Sequence, residues 1–97
     1  MKREFTIEIL SENNFSVLNR IINVLNRRRV RIKKLIAHES EVDFRKGGAT
    51  LLLYTTAEMI EKVKNQLEKL IEVESARYYE GSELYFELSE RNNKQVA

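Results

Sequence analysis

The sequence predicts an α+β sandwich: a four-stranded antiparallel sheet with two helices on one face, in the order β-α-β-β-α-β, followed by a short extra C-terminal strand. Three observations predict it. The chain opens on strict two-residue alternation, Glu4-Phe-Thr-Ile-Glu-Ile-Leu10. Two later segments repeat apolar residues at helical spacing, each flanked by strand-like runs. The strand-helix-strand pattern also recurs weakly at an offset of roughly 40 residues. Right-handed crossovers then place both helices on the same side of the sheet, the ferredoxin-like arrangement.

In the first strand Phe5, Ile7 and Ile9 point one way and Glu4, Thr6 and Glu8 the other. A polar stretch, Ser11 to Asn14, runs into a helix expected from about Ser16 to Arg28, with Leu18, Ile21, Ile22 and Leu25 as its apolar stripe. Asn13 and Asn14 are candidate caps, because an Asn side chain accepts from the N–H groups of a first helical turn. Val30 to Glu39 reads as a second strand with broken alternation: Val30 and Ile32 share one parity, Leu35 and Ala37 the other. A bulge or partial cover on both faces accounts for that. Ser40 to Gly48, polar with two glycines, is expected to be a loop. Ala49-Thr-Leu-Leu-Leu-Tyr54 is dense enough for a central strand covered on both faces, although pattern alone also admits a helix fragment.

Thr55-Thr-Ala-Glu58 fits a capping box that opens a second helix with Ile60, Val63, Leu67 and Leu70 on one side. Val73 to Tyr79 is the fourth strand, Glu80-Gly81 a turn, and Glu83-Leu-Tyr-Phe-Glu-Leu88 a fifth strand before a frayed polar tail. Residues 1–81 therefore form one domain and 82–97 its terminal strand and tail. The second strand is expected at a sheet edge, where its Val, Ile and Leu invite pairing with a second copy. Arg31, Lys33 and Lys34 are the kind of residues that keep an edge unpaired.

The 97 residues allow one domain, and cysteine is absent, which excludes disulfides, thiol nucleophiles and thiolate metal sites. No apolar run approaches the ~18 residues of a membrane span. Met1-Lys-Arg-Glu-Phe5 lacks a signal-peptide core, so a cytoplasmic protein is expected. A net charge of +2 does not by itself imply a nucleic-acid partner. The charge is concentrated, however, in Arg27-Arg-Arg-Val-Arg-Ile-Lys-Lys34. That run reads as a solvated helix end and edge, as a docking patch for an acidic partner, or as a phosphate-binding surface. An RNA reader would stack bases on sheet aromatics beside it. Phe5, Tyr54, Tyr78 and Tyr79 lie on strands, but the aromatic-glycine signature of that module is absent. His38, the single histidine, reads as solvent-facing, and Glu39, Glu41 and Asp43 as a solvated loop cluster without calcium-loop spacing. An acyl-phosphate hydrolase would need Arg in an N-terminal phosphate loop, and Arg20 lies on the helix body instead.

The strand end, helix start and exposed N–H donors around Asn13 and Ser16 make a place for a small carboxylate. Here the residues resemble a known family. Asn13-Asn-Phe-Ser-Val-Leu-Asn-Arg-Ile21 resembles Asn-x-x-Gly-(Val/Ala)-Leu-x-Arg-Val of ACT domains. More closely, these are the ACT domains of the small regulatory subunit of acetohydroxyacid (acetolactate) synthase. Arg28-Arg-Val-Arg-Ile-Lys-Lys-Leu35 is similar to that family's Arg-Gly-(Phe/Tyr)-Asn-Ile-Glu-Ser-Leu. Gln66-Leu-Glu-Lys-Leu-Ile-Glu-Val73, the most specific patch, is similar to its Gln-Leu-x-Lys-Leu-(Val/Ile)-(Asp/Glu)-Val.

The resemblance spans about Phe5 to Tyr79. It implies a non-catalytic, cofactor-free regulatory subunit that binds a separate thiamine-diphosphate synthase subunit condensing two 2-keto acids. It also implies a homodimer through the second strand, and an effector (valine, leucine or isoleucine) between the first loop of one copy and the second strand of the other. Carried over by position, Asn13 and Asn14 hold the effector's polar groups, the backbone of Ser16 and Val17 takes its carboxylate, and Leu18, Arg31 and Ile32 complete the pocket. Arg27, Arg28, Arg29, Lys33 and Lys34 are the implied docking residues for the catalytic subunit. The chain departs from the pattern at three positions. Ser16 replaces a glycine and narrows or closes the site. Arg29 replaces a helix-ending glycine, so a left-handed cap costs about 1 kcal/mol or the turn differs. Arg31 replaces an Asn, and either pairs with the effector carboxylate or fills the pocket.

Overall fold

The computed structural model describes residues 1–13 and 15–81, with Phe15 by its backbone alone. The proposed cap at Asn14 and the fifth strand over Glu83 to Leu88 lie outside the described residues. The elements run β1 (Lys2–Glu12), α1 (Phe15–Arg27), β2 (Arg31–Glu39), β3 (Lys46–Thr56), α2 (Ala57–Glu68) and β4 (Val73–Glu80). β1 lies between β3 and β4, antiparallel to both, and β2 pairs with the far side of β3. The order β2-β3-β1-β4 is the expected ferredoxin-like sheet with β2 at an edge.

Alternation in β1 decides where the core lies. Phe5, Ile7 and Ile9 are matched across the ladder by Leu53, Leu51 and Ala49, and all six are buried. Val17, Ile21 and Leu25 of α1 and Ile60, Val63 and Leu67 of α2 close over them, so both helices share this face. Each such aliphatic side chain contributes about 1.5–3 kcal/mol when fully buried. β3 is covered on its other face too: Thr50 and Leu52 are buried there without a helix above them. In the register Leu52 sits between Thr6 of β1 and Lys34 of β2.

The broken alternation of β2 is a bulge. The register shifts between Ile32 and Lys34, which turns Ile32, Leu35 and Ala37 all toward the helix side, opposite Leu53, Leu51 and Ala49. Val30 belongs to the turn before the strand. There the chain leaves α1 through a left-handed residue, Arg29, with φ of 54°. The Arg29 amide donates to the Asn26 carbonyl at 3.1 Å and the Val30 amide to the Leu25 carbonyl at 3.0 Å. Those two bonds make a Schellman cap, and the buried side chains of Val30 and Leu25 provide its apolar contact. The turn expected of a glycine is thus kept, with arginine in its place.

Two local expectations are corrected. Gly47 and Gly48 are strand residues, and the loop is only residues 40–45. The reason is proximity: a Cβ on Gly48 would stand 2.3 Å from the Ile9 carbonyl oxygen, and one on Gly47 2.6 Å from that of His38. The cap of α2 falls one residue later than the Thr55–Glu58 box. Thr56 accepts from the Met59 amide at 3.0 Å. Thr55 is buried in the sheet opposite Arg3, because the β1–β3 ladder runs on through Thr56.

Candidate functional site

The β1–α1 corner is built by cross-links to a hairpin distant in sequence. The Asn13 amide donates to the Arg45 carbonyl at 2.8 Å. Its side-chain nitrogen donates to Glu39 Oε2 at 2.9 Å and to the Phe44 carbonyl at 2.8 Å. Asn13 therefore clamps the corner to the end of β2 and to the β2–β3 loop through its side-chain donor, whereas a cap would use the amide oxygen. The loop is stiffened from within. Ser40 Oγ accepts from the amides of Val42 and Asp43, and Asp43 accepts from both the amide and the guanidinium of Arg45. Those Arg45 bonds hold the Asp43 carboxyl below its ordinary range. Lys46 is held by Glu74 of β4, which raises its pKa.

Between this corner and β2 lies a cleft of about 470 Å³. Leu18, Ile21, Ala37 and Ala49 form its apolar wall, with Gly48 leaving further room. Ser11, Glu12, Asn13, His38 and Glu39 provide its polar rim. Small side chains on facing strands create the space: Ala37 is paired with Ala49 and His38 with Gly48. The arrangement can hold a small molecule with an aliphatic body and a polar head.

The residues expected at the site separate into those gathered here and those placed elsewhere. Asn13 and Leu18 line the cleft. Ser16 and Val17 form the first turn of α1 and are not among the residues that line the cleft, and the Val17 side chain lies in the core. Arg31 and Ile32 stand at the opposite end of β2, opposite Tyr54 and Leu53. Ile32 and Glu39 are seven strand steps apart, about 23 Å at the usual rise. The expected docking run is dispersed. Arg27 and Arg29 are exposed around the end of α1. Arg28 donates to Gln66 Oε1 of α2 at 2.6 Å, and Lys33 pairs with Glu4 at 2.5 Å. Lys34 lies on the helix-free face beside Leu52. Phe5 and Tyr78 face the core with their rings edge-to-face, 6.1 Å apart. Tyr54 and Tyr79 are exposed, but the basic run beside them is split between the end of α1 and β2 with Lys33 paired to Glu4, and the RNA-binding alternative gains no support.

Sequence reasoning missed the second half of β2, Ala37 to Glu39, as part of the site. The available signal was the parity break, which reassigns Ala37 to the helix side, together with small residues on both strands.

A family model described as an ACT domain matches residues 13–76. Among solved structures, the acetolactate synthase small subunit from Thermotoga maritima is 25% identical with a TM-score of 0.69, covering 78% of this chain and 47% of that one. This chain thus spans about half of that subunit. The ACT domain of the GTP pyrophosphokinase of Chlorobium tepidum shares the fold at 14% identity, with a TM-score of 0.70 and coverage of 81% and 100%. A homoserine dehydrogenase from Thiobacillus denitrificans shares it at 14% identity and a TM-score of 0.69, covering 87% of this chain and 18% of that one. No curated protein matches by sequence. None of the described helices is long and apolar enough to cross a membrane.

Proposed function

The chain belongs to the ACT domain family, and we propose that it regulates an acetohydroxyacid (acetolactate) synthase of branched-chain amino-acid biosynthesis by binding the catalytic subunit and an amino-acid effector. An ACT domain is a regulatory, non-catalytic module, and ACT domains commonly bind amino-acid effectors and dimerise. The likeness to the Thermotoga small subunit supports the choice of synthase.

The observation that carries the reading is the position of the cleft. It opens beside β2, an edge strand that pairs with β3 alone among the described strands. Two β2 strands related by a two-fold axis run antiparallel. Pairing them sets the start of one strand against the end of the other. The partner's Arg31 and the partner's Ile32 then arrive beside Ala37 to Glu39 and complete a cleft that each copy holds only in part. In that assembly the first turn of α1, Ser16 and Val17, presents the positive end of the helix dipole to the effector carboxylate, and the partner's Arg31 pairs with it. Leu18, Ile21 and the partner's Ile32 enclose the side chain of valine, leucine or isoleucine. Asn13, with Asn14 next in the chain, holds the polar head from the corner. Arg27 and Arg29, exposed at the end of α1, meet an acidic surface of the catalytic subunit, with Arg28, Lys33 and Lys34 alongside.

The test is to mix the protein with an acetohydroxyacid synthase catalytic subunit. Co-elution and a higher turnover, reduced again by a branched-chain amino acid, are expected. Separate elution with unchanged turnover contradicts the proposal.

A further inference from the structure

The cleft has the wrong sign for a simple acid. Glu12 and Glu39 stand on its rim, and the residues that line it include no Lys or Arg. The nearest cations of the hairpin are engaged: Arg45 with Asp43 at 3.1 Å, and Lys46 with Glu74. Asn13 points the same way. Its side-chain nitrogen has two hydrogens, and both are committed, to Glu39 and to the Phe44 carbonyl. What remains of that amide for a ligand is Oδ1, which only accepts. Glu39 uses one carboxylate oxygen on Asn13, and none of the ion pairs among the described residues reaches it. At the Glu39 end, beside Asn13 Oδ1, one chain therefore presents an acceptor and a negative charge to a ligand, with the donors left to His38 and to the first turn of α1.

We infer that Glu39 is the ammonium anchor of the cleft, and that with Asn13 Oδ1 it selects an α-amino acid over the 2-keto acid of the same carbon skeleton. The inference rests on the effector reading above and assigns to one β2 residue a discrimination that reading leaves open. It also has a use there. A regulator of a synthase that consumes 2-keto acids has to respond to the amino acid in their presence. A keto acid matches the amino acid in its aliphatic body and carboxylate and differs at the α-carbon. There a carbonyl oxygen meets the Glu39 carboxylate and Asn13 Oδ1 as acceptor against acceptor, whereas an ammonium donates to both. Removing a charge-assisted hydrogen bond of this kind weakens binding by about ten- to a hundredfold.

The experiment is a calorimetric titration of the full chain with valine, 3-methyl-2-oxobutanoate and isobutylamine, repeated on Glu39→Gln. The Gln side chain keeps an oxygen that accepts from Asn13, so the clamp is retained. The wild-type chain is expected to bind valine at least about tenfold more tightly than the keto acid. E39Q should lose about ten- to a hundredfold in valine affinity while the ratio of valine to keto acid shrinks. A keto acid that binds the wild-type chain as tightly as valine, or an unchanged valine affinity in E39Q, overturns the anchor and leaves the effector reading in place. Absence of wild-type binding to valine, leucine and isoleucine overturns the effector reading, and the anchor with it.

Discussion

Replacing Arg29 by glycine is expected to leave this protein more stable than replacing it by alanine, although both changes delete the charged side chain. Arg29 sits at φ of 54°, the left-handed region, where a Cβ crowds the following carbonyl and costs about 1 kcal/mol or slightly more. The position is held there by the two cap hydrogen bonds and by Val30, only 6% exposed, packing beside Leu25. Glycine adopts the same φ without penalty, so the folded state gains while the cap is unchanged. Arg29→Ala is the control. It removes the same charge near the helix C-terminus, worth about 0.3–1 kcal/mol, and keeps the strained backbone. The two variants should differ by about 1 kcal/mol in favour of glycine, or about 4–8 °C in Tm for a domain of this size. Urea unfolding of wild type, R29G and R29A, followed by circular dichroism with a common slope, measures the difference. If R29G is no more stable than R29A, Arg29 stores no strain and the derivation of the cap is wrong.

Other expectations follow from the same contacts. Gly48→Ala places a methyl 2.3 Å from a backbone carbonyl that cannot swing aside, so it should cost about 1–3 kcal/mol, read as a lower denaturation midpoint; an unchanged midpoint means the β1–β3 approach is looser than described. The Asp43 carboxyl is held below the usual carboxylate range, so what its bonds to Arg45 add to the hairpin is fully present above about pH 4 and is lost as pH falls through the folded value. An NMR titration of the Arg45 amide should therefore show a midpoint below ~4, and a midpoint at or above that value contradicts the contact.

Much of this fold was legible because its pattern is local. Alternation in Glu4 to Leu10 and the stripe of Ile60 to Leu70 each face one core, and the structure keeps them; in α1 it keeps Leu18, Ile21 and Leu25, leaves Ile22 out of the core and puts Val17 and Val24 in it. The broken parity of β2 was legible as well, and resolves as a bulge between Ile32 and Lys34. Features that depend on a second segment were not. Glycines 47 and 48 look like loop residues until β1 and β2 are laid against them. Thr55 looks like a cap until the ladder with β1 claims it. Asn13 looks like a cap for the helix beside it, yet its partners, Glu39 and Phe44, lie 26 and 31 residues away. For the same reason Glu39 gave no signal: its place on the cleft is set by the bulge and the hairpin together.

The most direct test of a cleft shared between two copies is complementation. Chains carrying only Arg31→Ala and chains carrying only Glu39→Gln are each expected to bind valine weakly. In an antiparallel β2 pair, one cleft of a mixed dimer takes Glu39 and Arg31 from the two unaltered positions and is whole, while the other is doubly impaired. Equal mixing of exchanging chains makes about half the dimers mixed, so about a quarter of the sites should regain wild-type affinity in calorimetry. A mixture that binds valine no better than either variant alone would contradict the shared cleft.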